Sequence, residues 1–280
     1  MQLLQTRLVH RLWTCRHRAA PSRRCVSSRN SMADIEEAPK DRVGFGRAEM
    51  FSETLVGTVK TYNTHLFVCS HQSAKDWSHD TTKDAGSAHA VLDAKLEACR
   101  EQLTTMGKPK TTLFAAEGGD RPGDVLVFPT NKRLRPGADM VAQPDAWATE
   151  VVDLLSSGAG EQLAAPHVFV CAHARRDKRC GVCGPALIDA FRSRIPGAGV
   201  EIRACSHVGG HAYAGNVLIF AARAGTGVVT GDWYGYVTPS DVDALLETRI
   251  RAGQNLPKIW RGAMGMTPEE CTASCGAGCV

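Results

Sequence analysis

Two cysteines and two histidines in the second half of the chain are residue types that bind soft metals. Cys171 and Cys180 lie nine positions apart in CAHARRDKRCGVCGP, and His207 and His211 lie four apart in SHVGGHAYAGN. Two thiolates and two imidazoles suit either a four-coordinate metal ion or a two-iron cluster. These four residues are therefore the candidate cofactor-binding and metal ligands.

The spacing of these residues favours a 2Fe–2S cluster over zinc. Structural zinc sites usually place their thiols about two to four positions apart, closer than Cys171 and Cys180. No Glu lies between His207 and His211, and the adjacent Gly209 and Gly210 disfavour the helix of a zinc protease. The glycines instead indicate a loop whose backbone approaches a bulky cofactor. A structural zinc-binding interaction module stays as an alternative.

A second alternative uses the same segment for thiol chemistry. Cys180 and Cys183 form a CxxC motif at the start of an expected helix, where the helix dipole lowers a thiol pKa. The chain would then be a thiol–disulfide oxidoreductase or a redox sensor. No catalytic residues of another kind are identified, because paired carboxylates, a GxSxG elbow and a phosphate loop with Lys are absent from the sequence. The pattern indicates an electron carrier rather than a stand-alone enzyme.

An internal repeat shows which of these residues a scaffold needs. HLFVCSH at 65–71 recurs as HVFVCAH at 167–173, with five of seven residues identical, and GDVLVFP at 123–129 recurs as GNVLIFA at 215–221. The first copy keeps Cys69 opposite Cys171 but has Ser78 opposite Cys180. Alignment of the VLVF and VLIF segments places Ala115 and Gly119 opposite the two histidines. The second copy therefore carries chemistry that the first copy lacks.

The elements around these motifs alternate between strand-like and helix-like patterns. Each copy begins with an apolar strand ending at a Cys, continues through a helix (88–103, and PALIDAFRSRI in copy two) and reaches a second strand. Copy two adds strand 200–205, a hairpin turning at 224–227 and a closing helix in TPSDVDALLETRI. Strand–helix–strand units predict parallel pairing in a mixed sheet flanked by helices. The small residues of 156–166 predict a linker between two domains.

The charge of the chain is divided unevenly. Residues 1–33 contain seven Arg and no Asp or Glu, whereas the remainder has 26 basic and 29 acidic residues. This division gives no support to nucleic-acid binding, which needs basic residues in the folded part. The Arg- and Ser-rich leader is typical of an organelle transit peptide, mitochondrial first and plastid second, with a disordered basic tail as the alternative. No apolar run reaches roughly eighteen residues, so no membrane span is expected.

The motifs resemble those of the sucrase/ferredoxin-like family of thioredoxin-fold ferredoxins. The resemblance covers residues 50 to 265 and is carried by CAHARRDKRCGVCGP, SHVGGHAYAGNVLIF, DWYGYVTPSDV and WRGAMG. It implies an α/β protein with two tandem thioredoxin-like domains. The C-terminal domain would hold a 2Fe–2S cluster through Cys171, Cys180, His207 and His211.

Leader composition, the repeat and the resemblance together predict a domain plan. A transit peptide (1–33) would precede a degenerate thioredoxin-like domain without cluster (50–155), a ferredoxin domain (165–255) and a C-terminal tail with the WRG motif (256–280). Electron transfer, in the mitochondrial matrix, would be the activity. The partners would be a reductase and an acceptor protein, neither of which the sequence identifies.

Overall fold

The two repeated units lie in one continuous sheet in the computed structural model. Residues 44–47, 50, 54–107, 109–195 and 199–275 are described, apart from the side chains of His211 and Cys275. The sheet has ten strands in the order β10-β9-β8-β6-β7-β2-β1-β3-β4-β5. The strands are β1 (His65–Ser70), β2 (Lys110–Ala115), β3 (Val125–Phe128), β4 (Lys132–Leu134), β5 (Glu161–Gln162), β6 (His167–Cys171), β7 (Glu201–Cys205), β8 (Val217–Ala222), β9 (Val229–Tyr234) and β10 (Trp260–Ala263).

The same pairing scheme occurs in both copies, as the repeat predicts. β1 pairs parallel with β2 and antiparallel with β3, and β6 pairs parallel with β7 and antiparallel with β8. The copies meet where Phe114 of β2 lies opposite Cys205 of β7 in an antiparallel pair. The protein is thus a mixed α/β structure, and its expected strand–helix–strand units are present in both copies.

Among the described residues, five helical segments longer than two turns accompany the sheet. In copy two the helix begins before Cys180, so the CxxC motif lies at its start as expected and the helix extends upstream of PALIDAFRSRI, because Asp177 caps it and accepts a hydrogen bond from the Arg179 backbone N–H at 2.9 Å. In copy one the helix ends at Ala98, short of the expected residue 103. The segments are α1 (Ala88–Ala98), α2 (Pro144–Ser157), α3 (Lys178–Arg194), α4 (Pro239–Asp241, Val242–Ala244 and Leu245–Arg251, which form one run) and α5 (Pro268–Cys275).

Two segments with loop-like composition are ordered parts of the fold. The expected linker 156–166 contains the end of α2 and strand β5, which pairs with β4. In the expected tail, Trp260–Ala263 forms the buried strand β10, and Cys271 of α5 is buried. Small residues alone therefore do not mark an irregular segment. Pairing with β4 makes part of 156–166 a strand, and burial in the core makes part of the tail a strand.

A shared aromatic core holds the two copies together. The Phe67 ring of β1 stacks on Phe169 of β6 with centroids 3.7 Å apart, and Phe128 stacks on Phe220 at 4.1 Å. Two strands separate β1 from β6 in the sheet, a distance of about 14 Å if the sheet were flat. The sheet must therefore curve around these rings, and its opposite face is covered by helices in each copy.

A buried charge network attaches the last strand to the sheet. Asp232 of β9 accepts hydrogen bonds from Arg249 at 2.7 Å and from the Trp260 indole at 3.0 Å, and all three side chains are buried. The WRG motif is therefore part of the core. No helix in the described ranges has the length and apolar content needed to cross a membrane. The predicted leader 1–33 lies outside the described residues.

Candidate metal centre

Three of the four predicted ligands lie together. One ligand atom each from Cys171, Cys180 and His207 lies within 4.8 Å of the other two. Both cysteines are buried and His207 is half-buried. His211 begins the short turn His211–Tyr213 that follows, but its side chain is outside the described part of the chain.

Strand β6 and helix α3 supply the two sulfurs. Cys171 is the last residue of β6, and its backbone N–H donates to the Asn216 carbonyl at 3.0 Å. Cys180 lies in the first turn of α3. Glycines allow the helix to approach the strand end: a Cβ on Gly184 would lie 2.6 Å from the Ala172 Cα and the Cys171 carbonyl, and one on Gly181 would lie 2.5 Å from the Ala174 Cβ. The CGVCG sequence therefore brings Cys180 to Cys171.

The loop after β7 supplies the imidazole. Gly209 and Gly210 have φ values of 95° and 69°, in the left-handed region that favours glycine. The Gly210 carbonyl accepts a hydrogen bond from the Asn216 side chain at 3.1 Å, and Asn216 in turn accepts one from Arg261 at 2.7 Å. A Cβ on Gly210 would lie 2.5 Å from the Arg261 guanidinium. Asn216, which directly precedes β8, and Arg261 of β10 thus fix the loop, which sequence spacing alone did not show.

His173 positions His207, a role that the sequence did not reveal. Its Nδ1 accepts a hydrogen bond from the His207 backbone N–H at 3.2 Å, so its Nε2 carries the proton and donates to the Ser78 carbonyl at 2.8 Å. Burial lowers the pKa of His173, which favours this neutral form. The signal available in the sequence is the Cys-x-His spacing, which occurs at Cys171–His173 and again at Cys205–His207. His173 in fact connects the ligand loop to copy one.

The surroundings of the two sulfurs keep them as neutral thiols unless a cation binds. A hydrogen bond with Cys171 and burial raise the pKa of the Cys180 thiol far above its ordinary value. Two buried thiolates without a cation would repel each other and lack solvation. A soft metal centre supplies the missing charge, and its preferred donors are sulfur and imidazole. The donor set therefore fits both an iron–sulfur cluster and a zinc ion.

The structure gives Cys183 a different environment. Its side chain is fully buried, and burial raises its pKa to about 11. It faces the N-terminal segment, since a Cβ on Gly44 would lie 2.5 Å from its sulfur. A buried thiol with a raised pKa is a poor nucleophile. This environment weighs against the thiol-exchange interpretation of the CxxC motif.

Two buried thiols and a half-buried imidazole on a mixed α/β sheet form a candidate metal-binding site. The sequence narrows the class of protein, because residues 55–262 match the sucrase/ferredoxin-like family. The chain belongs to that family.

Several yeast proteins and one bacterial structure are similar to the chain. It is 33% identical over 118 residues to "Altered inheritance of mitochondria protein 32" of Debaryomyces hansenii, and the match covers 41% of this chain and 41% of that protein. It is 27% identical over 253 residues to "Actin patches distal protein 1" of Saccharomyces cerevisiae, 78% of this chain and 77% of that one. A thioredoxin-like [2Fe–2S] ferredoxin from Aquifex aeolicus matches 37% of this chain and 96% of its own, with 22% identity and a TM-score of 0.30. The matches span only 41% and 33% of the first two mitochondrial-inheritance relatives.

Proposed function

We propose that the protein transfers electrons through a 2Fe–2S cluster held by Cys171, Cys180, His207 and His211. Its two halves would be tandem thioredoxin-like units, of which only the second binds a cluster. The observation that carries the proposal is the convergence of two buried thiols and an imidazole from three separate elements within 4.8 Å. The first copy has the same strands without this set, so the scaffold does not require it.

The cluster would supply one-electron oxidation and reduction at a potential raised by its histidine ligands. The chain's own residues bind and orient it. β6 and α3 hold the sulfurs in a buried position, and His173 fixes the backbone of His207. A half-buried imidazole can exchange its remaining ring proton with solvent, so the potential should depend on pH.

The basic segment between the cysteines offers a docking surface for an acidic redox partner. Arg176 and Arg179 form ion pairs with Asp80 and Asp177. Arg175 and Lys178 are exposed at the same end of α3. Charges of one sign beside the centre would steer a reductase or acceptor of opposite charge. A pull-down of organelle reductases with the reduced and oxidised protein would identify such a partner.

The proposed location is the mitochondrion, in the matrix, with the plastid as the alternative. It is supported by the Arg-rich leader and by relatives named for mitochondrial inheritance. The full chain with a C-terminal fluorescent tag should enter mitochondria, and the same chain without residues 1–33 should not. Equal distributions of the two would contradict the proposal.

Metal analysis of the anaerobically purified chain tests the cofactor. We expect iron and acid-labile sulfide in equal amounts, visible absorption, and an electron paramagnetic resonance signal on reduction. His207→Cys should keep a cluster but lower its potential, since thiolate stabilises ferric iron more than imidazole does. Cys183→Ser is the matched control and should leave the cluster content and the potential unchanged. A colourless protein containing one zinc would instead support the structural zinc module.

A further inference from the structure

A cavity of about 390 Å³ lies beside the candidate metal centre. Val208, Gly209 and Gly210, from the loop that begins with His207, form one wall. Trp233 of β9 and Tyr213 contribute aromatic surface. This volume and a mixed lining of rings and polar groups are typical of sites for small molecules.

Three cationic side chains line the cavity: the exposed Lys60 and the more buried Lys110 and Arg261, and among the described residues the last two have no carboxylate in contact. Arg261 is 2% exposed, and its guanidinium donates only to neutral oxygens: Thr58 Oγ1 at 3.0 Å, the Thr58 carbonyl at 3.3 Å and Asn216 Oδ1 at 2.7 Å. Lys110 is half-buried at the start of β2. Within the ranges that the structure covers, no carboxylate oxygen lies within 4 Å of Lys110 or Arg261. The positive charge in the cavity is therefore not neutralised by a contacting acid.

The other buried arginines show that this arrangement is unusual for the fold. Arg249 forms an ion pair with Asp232 at 2.7 Å, and Arg203 forms one with Asp120 at 2.5 Å. Buried charges are normally paired in this way. Burial lowers the pKa of Lys110; the nearby charge of Asp93 opposes this effect and that of Arg261 adds to it. Burial lowers the pKa of Arg261 to about 10. An anion between the two cations would relieve both effects.

The aromatic groups define the shape that such an anion should have. The Trp233 ring centroid lies 5.6 Å from Lys110 Nζ and 5.7 Å from the Arg261 Cζ, and the Tyr213 centroid lies 4.4 Å from the same Cζ. The Trp233 indole N–H donates to the Tyr62 hydroxyl at 2.7 Å, which fixes its plane. A planar ligand can stack on fixed rings of this kind while its acidic group faces the cations.

We propose that this cavity binds a small organic anion with a planar ring that carries a carboxylate or a phosphate. The site is distinct from the metal ligands, and the inference goes beyond the proposed electron transfer. The ligand would lie against the loop that carries His207, at the edge of the candidate metal centre. Its binding does not depend on which metal that centre holds.

Calorimetry with 2-naphthoate on the full chain tests the proposal. We expect saturable binding at one site that weakens as salt is added, because the attraction is partly electrostatic. The neutral analogue 2-naphthalenemethanol and inorganic phosphate should each bind at least about tenfold more weakly, since each lacks one of the two features recognised. No binding of 2-naphthoate at millimolar concentration, or equal binding of the neutral analogue, would overturn the proposal.

The variant Lys110→Met removes one cation and keeps the length of the side chain. It should weaken 2-naphthoate binding by about tenfold, the usual scale for one charge-assisted contact. Lys75→Met is the matched control, because Lys75 is exposed and does not line the cavity. Equal affinities of Lys110→Met and the native chain would contradict the assignment.

Hydrogen exchange on the native chain gives a second measurement, which does not need the variant to fold. 2-Naphthoate should slow amide exchange in residues 58–62 and 208–213, whereas exchange in 144–157 should not change. Slower amide exchange in other segments but not in these two would overturn the assignment of the site. If the anaerobically purified chain contains no iron but binds 2-naphthoate at this cavity, the proposed cluster is refuted and this inference stands. If the chain contains the cluster but does not bind 2-naphthoate, this inference is refuted and the proposed cluster stands.

Discussion

At the scale of single residues, the candidate centre depends on a histidine that is not itself a proposed ligand. His173 accepts the His207 backbone N–H and donates to Ser78, while its ring lies edge-on to Trp77 at 5.6 Å between centroids. One neutral imidazole thus satisfies two backbone groups from distant parts of the chain. Its loss would leave both groups without this partner.

The substitution His173→Phe tests this role. We expect the free energy of unfolding in urea to fall by about 1–3 kcal/mol, because the ring contact is kept but two partly buried backbone groups lose their partner. Metal content per chain should fall as well, since the His207 backbone is no longer held. His71→Phe is the matched control, because His71 is the exposed equivalent in copy one. Equal losses in the two variants would argue against the positioning role.

At the scale of elements, the approach of α3 to β6 determines whether the two sulfurs can share a metal. Gly184 faces the backbone of Cys171 and Ala172, where a Cβ would come within 2.6 Å. Backbone atoms cannot move aside as a flexible side chain does, so a larger residue would displace the helix. Asp177 sets the start of the same helix three residues before Cys180.

The substitution Gly184→Ala should therefore separate Cys180 from Cys171. We expect loss of most bound metal and a destabilisation of about 1–3 kcal/mol from overpacking, measured by metal analysis and urea unfolding. Gly119→Ala serves as the control, because no atom lies within 4 Å of the position where its Cβ would be. Full metal content in Gly184→Ala would show that the close contact is unimportant.

At the scale of the whole molecule, the two copies are joined by pairing, by rings and by charge. Arg203 of copy two forms an ion pair with Asp120 of copy one, and both side chains are at most 5% exposed. The exposed pair Arg192–Glu117 connects the same two copies. With a shared aromatic core, we expect one cooperative thermal transition in calorimetry rather than two.

The buried pair should contribute far more than the exposed pair. Arg203→Met should lower the free energy of unfolding by about 3 kcal/mol, because Asp120 stays buried and, among the residues that the structure describes, keeps only Arg133 as a cation partner. Arg192→Met should change it by less than about 0.5 kcal/mol, since solvent screens that pair. Urea unfolding of both variants measures the difference, and similar values would contradict this view of the junction.

Two buried histidines should make stability depend on pH. Burial lowers the pKa of His89 and of His167 to about 4, from an ordinary value of 6.5. Between these values the unfolded chain binds more protons than the folded chain, so stability falls as the pH falls from about 6.5 to 4. At pH 5 each histidine should cost about 2 kcal/mol relative to neutral pH. Urea midpoints that do not fall between pH 7.5 and 5, or a slope unchanged in His167→Gln, would contradict this.

The repeat and its strands were predictable from the sequence because they depend on local patterns. The runs ending at Cys69 and Cys171 form β1 and β6, and the residues near 224–227 form the turn between β8 and β9. The helix start at the CxxC motif was also predictable, whereas the apolar pattern from Pro185 onward marks only the later turns of α3, which Asp177 caps. Pairing with β4 makes the exposed β5 an ordered strand, and burial does the same for β10.

The sequence by itself determined the donor types, the repeat that isolates them and the alternation of strands and helices. Only the tertiary structure decided that Cys171, Cys180 and His207 converge, that β2 and β7 join the two copies, and that Lys110 and Arg261 face one cavity. The reason is physical: residue type and periodicity are local, whereas contacts such as Arg261 with Thr58, 203 positions apart, exist only once the whole sheet has packed.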